Sequence, residues 1–161
     1  MTTDNIAYGT TTAITCTITA LGNSATVGRQ CTVVTNTNLY DDVMVTVGAI
    51  TNASAPTGDK ACYVYFFGSE DATLFDSDDA QPGANDATYT INLASNLRGP
   101  GVISCPAASK IYYKVFSLAS FFGGLVPRKW GFVFINFTGN SMLATTTNPN
   151  MSYTGVSFTN S

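Results

Sequence analysis

The sequence predicts an all-β protein: an antiparallel β-sandwich, with a jelly roll as the first choice of topology and an immunoglobulin-like sandwich as the second. Three observations carry this. Apolar and polar residues alternate with a period of two over short stretches, as in Ile14, Cys16 and Ile18 against Thr15, Thr17 and Thr19, the pattern of a half-buried strand. Gly, Pro, Asn and Asp clusters interrupt such stretches at spacings of roughly 8–15 residues, with no long helical period between them. Charged residues make up 11% of the 161-residue chain, far below the usual share of about 25%. Thr, Asn, Ser and Gly take the polar positions instead, and these favour strands and turns over helices. The length fits one sandwich domain over residues 1–161, with residues 1–12 expected to form an N-terminal arm.

In chain order, the first strand is read at residues 13–21, AITCTITAL, ended by Gly22-Asn23-Ser24. A second runs through Gln30–Thr35 to the turn Asn36-Thr37-Asn38, and a third occupies about 43–50, VMVTVGAI, before the loop NASAPTGD. ACYVYFFG (61–68) is apolar on both faces, which predicts a strand covered on both sides. Residues 69–86, SEDATLFDSDDAQPGAND, read as an acidic loop, and ATYTINLAS (87–95) alternates again. Pro100 and Gly101 break the chain ahead of a short strand, VISC, that Pro106 ends. IYYKVFSL (111–118) and KWGFVFINF (129–137) flank a short helical corner near 117–123. There Ser117 is placed to cap a turn through LASFF, Gly123-Gly124 to end it and Pro127 to stop its resumption. SMLATTT (141–147) and SYTGVSFT (152–159) complete about ten short strands.

Net charge is −3 with no histidine. The acidity disfavours nucleic acid as a partner, and no run approaches the ~18 apolar residues of a membrane span. MTTDNIAYGTTT lacks the basic and apolar regions of a signal peptide, so folding in a cytoplasm is expected. The charge is unevenly spread: residues 1–86 hold all ten acids and two bases, a net of −8, and residues 87–161 hold five bases and no acid. Two accounts fit: interleaved strands that neutralise the two halves, or a basic docking surface. Cys16, Cys31, Cys62 and Cys105 are far apart and form no CxxC pair, and the first three alternate with apolar residues, which reads as reduced cysteine in the core rather than zinc ligation.

Without histidine there is no Ser-His-Asp or Cys-His nucleophile system and no His-ligated metal. Glu70, Asp71, Asp76, Asp78, Asp79 and Asp86 offer a carboxylate pair for glycoside hydrolysis, but a hydrophilic loop supplies nothing to raise one pKa as an acid catalyst requires. Asp76, Asp78 and Asp79 are a weak calcium candidate lacking the EF-hand pattern, set against a simple solvated loop. The expectation is therefore a non-enzymatic protein with no cofactor. Trp130 with Tyr112, Tyr113, Phe121 and Phe122 suggests a sugar-stacking platform, but the alternation Trp130/Phe132/Phe134 favours core. Phe121 and Phe122, on a corner between glycine breaks, are candidate interface anchors, and Arg128 and Lys129 a candidate polar rim.

NLRGPGVIS (96–104), a Tyr-rich strand, FSLASFFGGLVPRKWGFVFINFTG (116–139) and the closing SYTGVSF together resemble a family of tailed-bacteriophage virion proteins. YVYFFGSEDATLFDSDD is a looser match, its acidic loop less Gly-rich than the family's. The resemblance implies a jelly-roll cement or decoration protein on the capsid exterior, made in the host cytoplasm. Its partners would be the major capsid protein and other copies of itself, as a dimer or trimer. It supplies no catalytic residue. The alternative is a carbohydrate-binding head-fibre, tail-fibre or spike domain; a hydrolase built on the acidic loop ranks third.

Overall fold

A computed structural model describes residues 4–78, 80–92, 94–144 and 149–160. Its strands are β1 (Asp4–Tyr8), β2 (Thr12–Ala13), β3 (Val27–Gln30), β4 (Val34–Thr35), β5 (Asp42–Ile50), β6 (Ala61–Ser69), β7 (Ala87–Thr90), β8 (Arg98–Ser104), β9 (Ile111–Ser117), β10 (Lys129–Phe137) and β11 (Ser152–Asn160). They form two antiparallel sheets packed as a sandwich. β1 and β2 lie in succession along one edge of β11, and β3 and β4 along β10. Counting each such pair once, the sheets run β1/β2–β11–β5–β9 and β7–β3/β4–β10–β6–β8. The first strand thus pairs with the last, the second with the second last, and so on inward to β6 with β8. The chain is a long hairpin folded over on itself, with β7 added in the excursion at its tip.

β10 lies at the centre. Trp130, Phe132 and Phe134 face the space between the sheets, where Phe66, Val64, Phe116, Val43, Val45, Val47, Cys31 and Ile18 meet them. Each large apolar side chain buried there contributes about 1.5–3 kcal/mol. The other face of β10 is also dry: Val133 and Ile135 join Phe67, Tyr89, Ile91 and Leu97 in a second apolar cluster. Gly131 is needed between them, because a Cβ there would come within 2.5 Å of the Phe67 ring. The expectation that ACYVYFFG is covered on both sides holds in part: on the outer face Phe67 is buried under Phe75, Tyr89, Ile91 and Leu97, while Tyr63 and Tyr65 are half-buried. The outer cover comes from described parts of the segment between β6 and β8.

That cover is held by polar pins. Buried Gln30 donates from Nε2 to the carbonyls of Gly83 (2.6 Å) and Asn85 (2.8 Å), and its Oε1 accepts from Gly83 N–H. Asp86 accepts from Arg29 Nε and from the Thr17 N–H. Asp78 accepts from the N–H groups of Asn92 and Asn96 and from Ser95 Oγ. Bonding to Asp78 ends the predicted strand 87–95 early, at Thr90.

Several boundaries differ from the sequence reading. In 13–21 the burial alternation is right, but only Ala13 belongs to a ladder: beyond it the Ile14 N–H bonds Met151 C=O just before β11, and the Thr15 C=O accepts from the Thr32 N–H between β3 and β4, so the segment closes the side of the sandwich. β8 runs through Pro100, on a cis Gly99–Pro100 bond, where a break was expected; it is an edge strand, where a missing N–H is tolerated. Residues 4–8 of the expected arm are strand β1. Of 141–147, Met142 makes one bridge to Thr51, and 145–147 lie outside the described residues. The helical corner is a 3₁₀ turn, Ala119–Phe121, and Ser117 does not cap it. Its Oγ donates instead to Asp42 Oδ2 (2.7 Å), while Asp42 Oδ1 accepts the Ala119 N–H.

The two charged halves interleave strand by strand, yet among the described residues only Arg98–Asp76 joins them as an ion pair; Arg29–Asp86 lies within the first half. Most of the described acids are satisfied by backbone N–H and hydroxyl groups. All four cysteines are buried and unpaired, with Cys62 and Cys105 sulfurs 3.8 Å apart. Burial pushes the Cys31 thiol up to about 12, and the bond to Cys105 together with burial raises Cys62. Thiol reagents at neutral pH should therefore label none of the four until the protein is denatured; native labelling measured by mass spectrometry would contradict the packing.

Acid should loosen the outer cover. For Asp86, burial raises the pKa, but the Arg29 guanidinium and Thr17 outweigh it and leave the carboxyl lowered. Asp71 is lowered too, by the N–H groups of Leu74 and Thr73 and by the Thr73 and Ser69 side chains. A folded-state pKa below the unfolded value of about 4 stabilises above that pH and fades as pH falls through the folded value. Thermal melts from neutral to strongly acidic pH should show a drop that begins below about pH 4 and is flatter in Asp86→Asn.

Candidate functional site

The outward-facing feature at the corner is a group of apolar side chains rather than the aromatic pair. Asn36 brackets the turn after β4: its Oδ1 accepts the Tyr40 N–H (3.0 Å), and its own N–H bonds Arg128 C=O (2.9 Å). This turn forces Leu39 to φ +52°, the left-handed region that β-carbons disfavour, and leaves its side chain 77% exposed. Across from it, Gly123 and Gly124 take φ +70° and +97° and turn the chain so that Leu125 stands out at 73% exposure. Asp41 Oδ2 accepts the Phe158 N–H (2.7 Å) and holds that strand end, with Phe158 57% exposed. Leu39, Leu125 and Phe158, with Tyr40, Asp41 and Val126, line one open hollow of about 360 Å³. Tyr40 is fixed beneath by Gly155, where a Cβ would meet its ring at 2.2 Å.

Two further hollows adjoin. One, of about 210 Å³, shares Asn36 and Leu39 and adds Ala72, Arg128 and Lys129. The other, of about 470 Å³, lies between the acidic loop and the corner, where Arg98 sits over the Phe122 ring (5.7 Å) and pairs with Asp76 (3.2 Å).

The predicted interface residues divide. Phe121 is turned inward, its ring 4.6 Å from Phe66 and 6.2 Å from Phe116, as a plug on the core. Phe122 is half-buried over Gly68 and Pro127. Arg128 is exposed, and Lys129 donates from Nζ to Ala72 C=O (3.2 Å). The corner thus presents Arg128 but draws in both phenylalanines. Leu39, Leu125 and Phe158 were missed, although a leucine directly after Asn-Thr-Asn and another between Gly-Gly and Val-Pro are apolar residues placed where turns are otherwise polar.

The other candidates are not assembled into sites. Trp130 is fully enclosed, edge-on to Tyr153 (5.6 Å), and its Nε1 makes no hydrogen bond, so packing alone holds it. Tyr112 bonds Ala107, which leaves Tyr113 as the open ring of the supposed sugar platform. Asp76 is committed to Gly68 N–H and Arg98, and Asp78 to three donors; Asp79 lies outside the described residues. Among the described residues no three acidic or cysteine side chains converge as a metal site, and no helix is long and apolar enough to cross a membrane. Comparison with protein-family models, curated proteins and solved structures finds no match to this chain.

Leu39 combines a left-handed backbone with a largely exposed side chain. Leu39→Asn, which accepts that conformation more readily, should raise stability by about 0.5–1 kcal/mol in urea unfolding; a loss of stability would mean that the Leu39 side chain supports the fold.

Proposed function

We propose that this chain is a capsid cement or decoration protein of a tailed bacteriophage, a jelly roll that binds the assembled major-capsid shell from outside. The observation that carries the reading is the corner of Leu39, Leu125 and Phe158, with Arg128 beside it. Strained backbone and exposed apolar side chains concentrate where proteins bind, and a basic side chain at the rim suits a protein partner. The nesting of first strand with last, second with second last, in two sheets, supports the jelly-roll part, since two interlocked Greek keys give this order. The acidic loop, its described carboxylates tied down in part by backbone donors and Arg98, serves the fold in this reading. Cementing works by mass action: a ligand that binds only the closed shell stabilises it by RT ln(1 + [L]/Kd) at each site. The fibre or spike alternative rests on exposed Tyr113 and has lost its indole to the core.

The test is to strip particles of this protein, add it back and measure the temperature or osmotic shock at which they burst. Restored protein should raise the bursting point, and Leu125→Asp should weaken shell binding about 30-fold, the effect of losing a central apolar anchor worth about 2 kcal/mol. A bursting point that ignores the protein would overturn the cement reading.

A further inference from the structure

Among the described residues, and apart from the two-residue β2 and β4, four strands form the sheet edges, and three of them are guarded. β9 carries Lys114, β8 contains Pro100 and pairs irregularly with β6 between Val64 and Phe66, and β7 is four residues long. Lysine, proline, irregular pairing and shortness are the usual means of keeping an edge from recruiting another strand. β1 is one residue longer than β7 and has no lysine, no proline and no irregular pairing. Its ladder with β11 is regular from Asp4↔Asn160 to Tyr8↔Val156, and among the described residues no strand pairs with its outer side.

The register says which groups are free. The Gly9 N–H bonds Gly155 C=O, its direct partner, so Ala7 and Asn5, at two-residue steps from Gly9, also turn their backbone groups toward β11. Ile6 and Tyr8 alternate with them and turn their N–H and C=O groups outward. Their side chains are 57% and 70% exposed, on the same face as Phe158, which stands opposite Ile6. Residues 5–8 and 157–159 carry no charged side chain, in a protein of net charge −3.

We propose that β1 is a self-pairing edge: two copies join antiparallel through β1 about a two-fold axis at Ile6, which makes the β1-containing sheets continuous. With Ile6 opposite Ile6 of the second copy, Asp4 falls opposite Tyr8, and the outward N–H and C=O groups of Ile6 and Tyr8 gain partners. Ile6, Tyr8 and Phe158 of both copies then make one uncharged apolar strip across the joint. A second copy fits this edge because the arrangement is isologous and brings no like charges together. A five-residue strand is short against the roughly 1,200 Å² of standard interfaces, so the dimer is concentration-dependent. The inference concerns the isolated protein; it shares Phe158 with the corner proposed to meet the capsid, and its test does not depend on that reading.

Sedimentation velocity over a dilution series tests it. The protein should pass from monomer to dimer with rising concentration. Ile6→Pro removes an outward N–H but none of the bonds to β11, so it should keep its melting temperature and raise the dimer dissociation constant about tenfold or more. Ile6→Lys, which sets two cations at the axis, should do the same should the proline variant fold poorly. A protein that is monomeric at every concentration, or a dimer indifferent to both substitutions, would overturn the proposal.

Discussion

Strand β10 has to be dry on both faces, and much of the rest of the molecule exists to make it so. Its inward side chains call for the opposing sheet, which β5, β9 and β11 supply through Val43, Val45, Val47, Phe116 and Tyr153. Its outward side chains, Val133 and Ile135, call for a lid over a sheet face that most sandwiches leave to water. The lid is an irregular excursion with few ladder bonds, so its polar backbone needs side-chain partners. Gln30 and Asp78 provide them, and Asp86 ties the lid to Thr17 and Arg29. The acidic character of that segment follows: carboxylates accept several backbone N–H groups at once, which lets a loop be tied down without a regular strand.

What was legible in the sequence was the part governed by local periodicity. KWGFVFINF, IYYKVFSL and ACYVYFFG declare their strands because each has enough β-branched and aromatic residues in register to survive any tertiary context. AITCTITAL was half legible. Its alternation encodes which side is buried, and that came out as expected, but alternation carries no information on whether a hydrogen-bonding neighbour is present. Ser117 shows the same limit: as a β9 residue it gives its hydroxyl to Asp42, a partner 75 residues away in sequence. Phe121 and Phe122 look like anchors in one dimension because they sit between glycines; in three dimensions the 3₁₀ turn aims Phe121 at Phe66, where a ring fits. Leu39 went unread because its exposure depends on a left-handed turn that Asn36 enforces, and no short-range pattern names that conformation for leucine.

The corner and its support are physically distinct. Asn36, Asp41, Asp42 and Gly155 hold the turn, the strand end and the 3₁₀ segment by hydrogen bonds and close packing, while Leu39, Leu125 and Phe158 add surface without adding to the core. Side chains at a corner made this way can change with little effect on folding, because the geometry is set from behind. In the proposed role that presetting means little ordering entropy is lost on contact.

The nesting of the chain has a consequence for how it is made. β11 lies inside its sheet, between β1/β2 and β5, although it is the last strand in the sequence. Until residues 152–160 have left the ribosome, β5 can pair with β9 but lacks its neighbour on the other side, and β1 has no strand of its sheet to pair with. Nearly every ladder joins residues distant in sequence, which places folding in the slow, non-local regime. The nascent chain therefore holds open strand edges and aromatic surface until β11 has emerged, the condition under which β proteins aggregate. Sparse charge offers little repulsion against that hazard, so the burden falls on the turn residues that interrupt the apolar stretches before they can stack on the wrong partner.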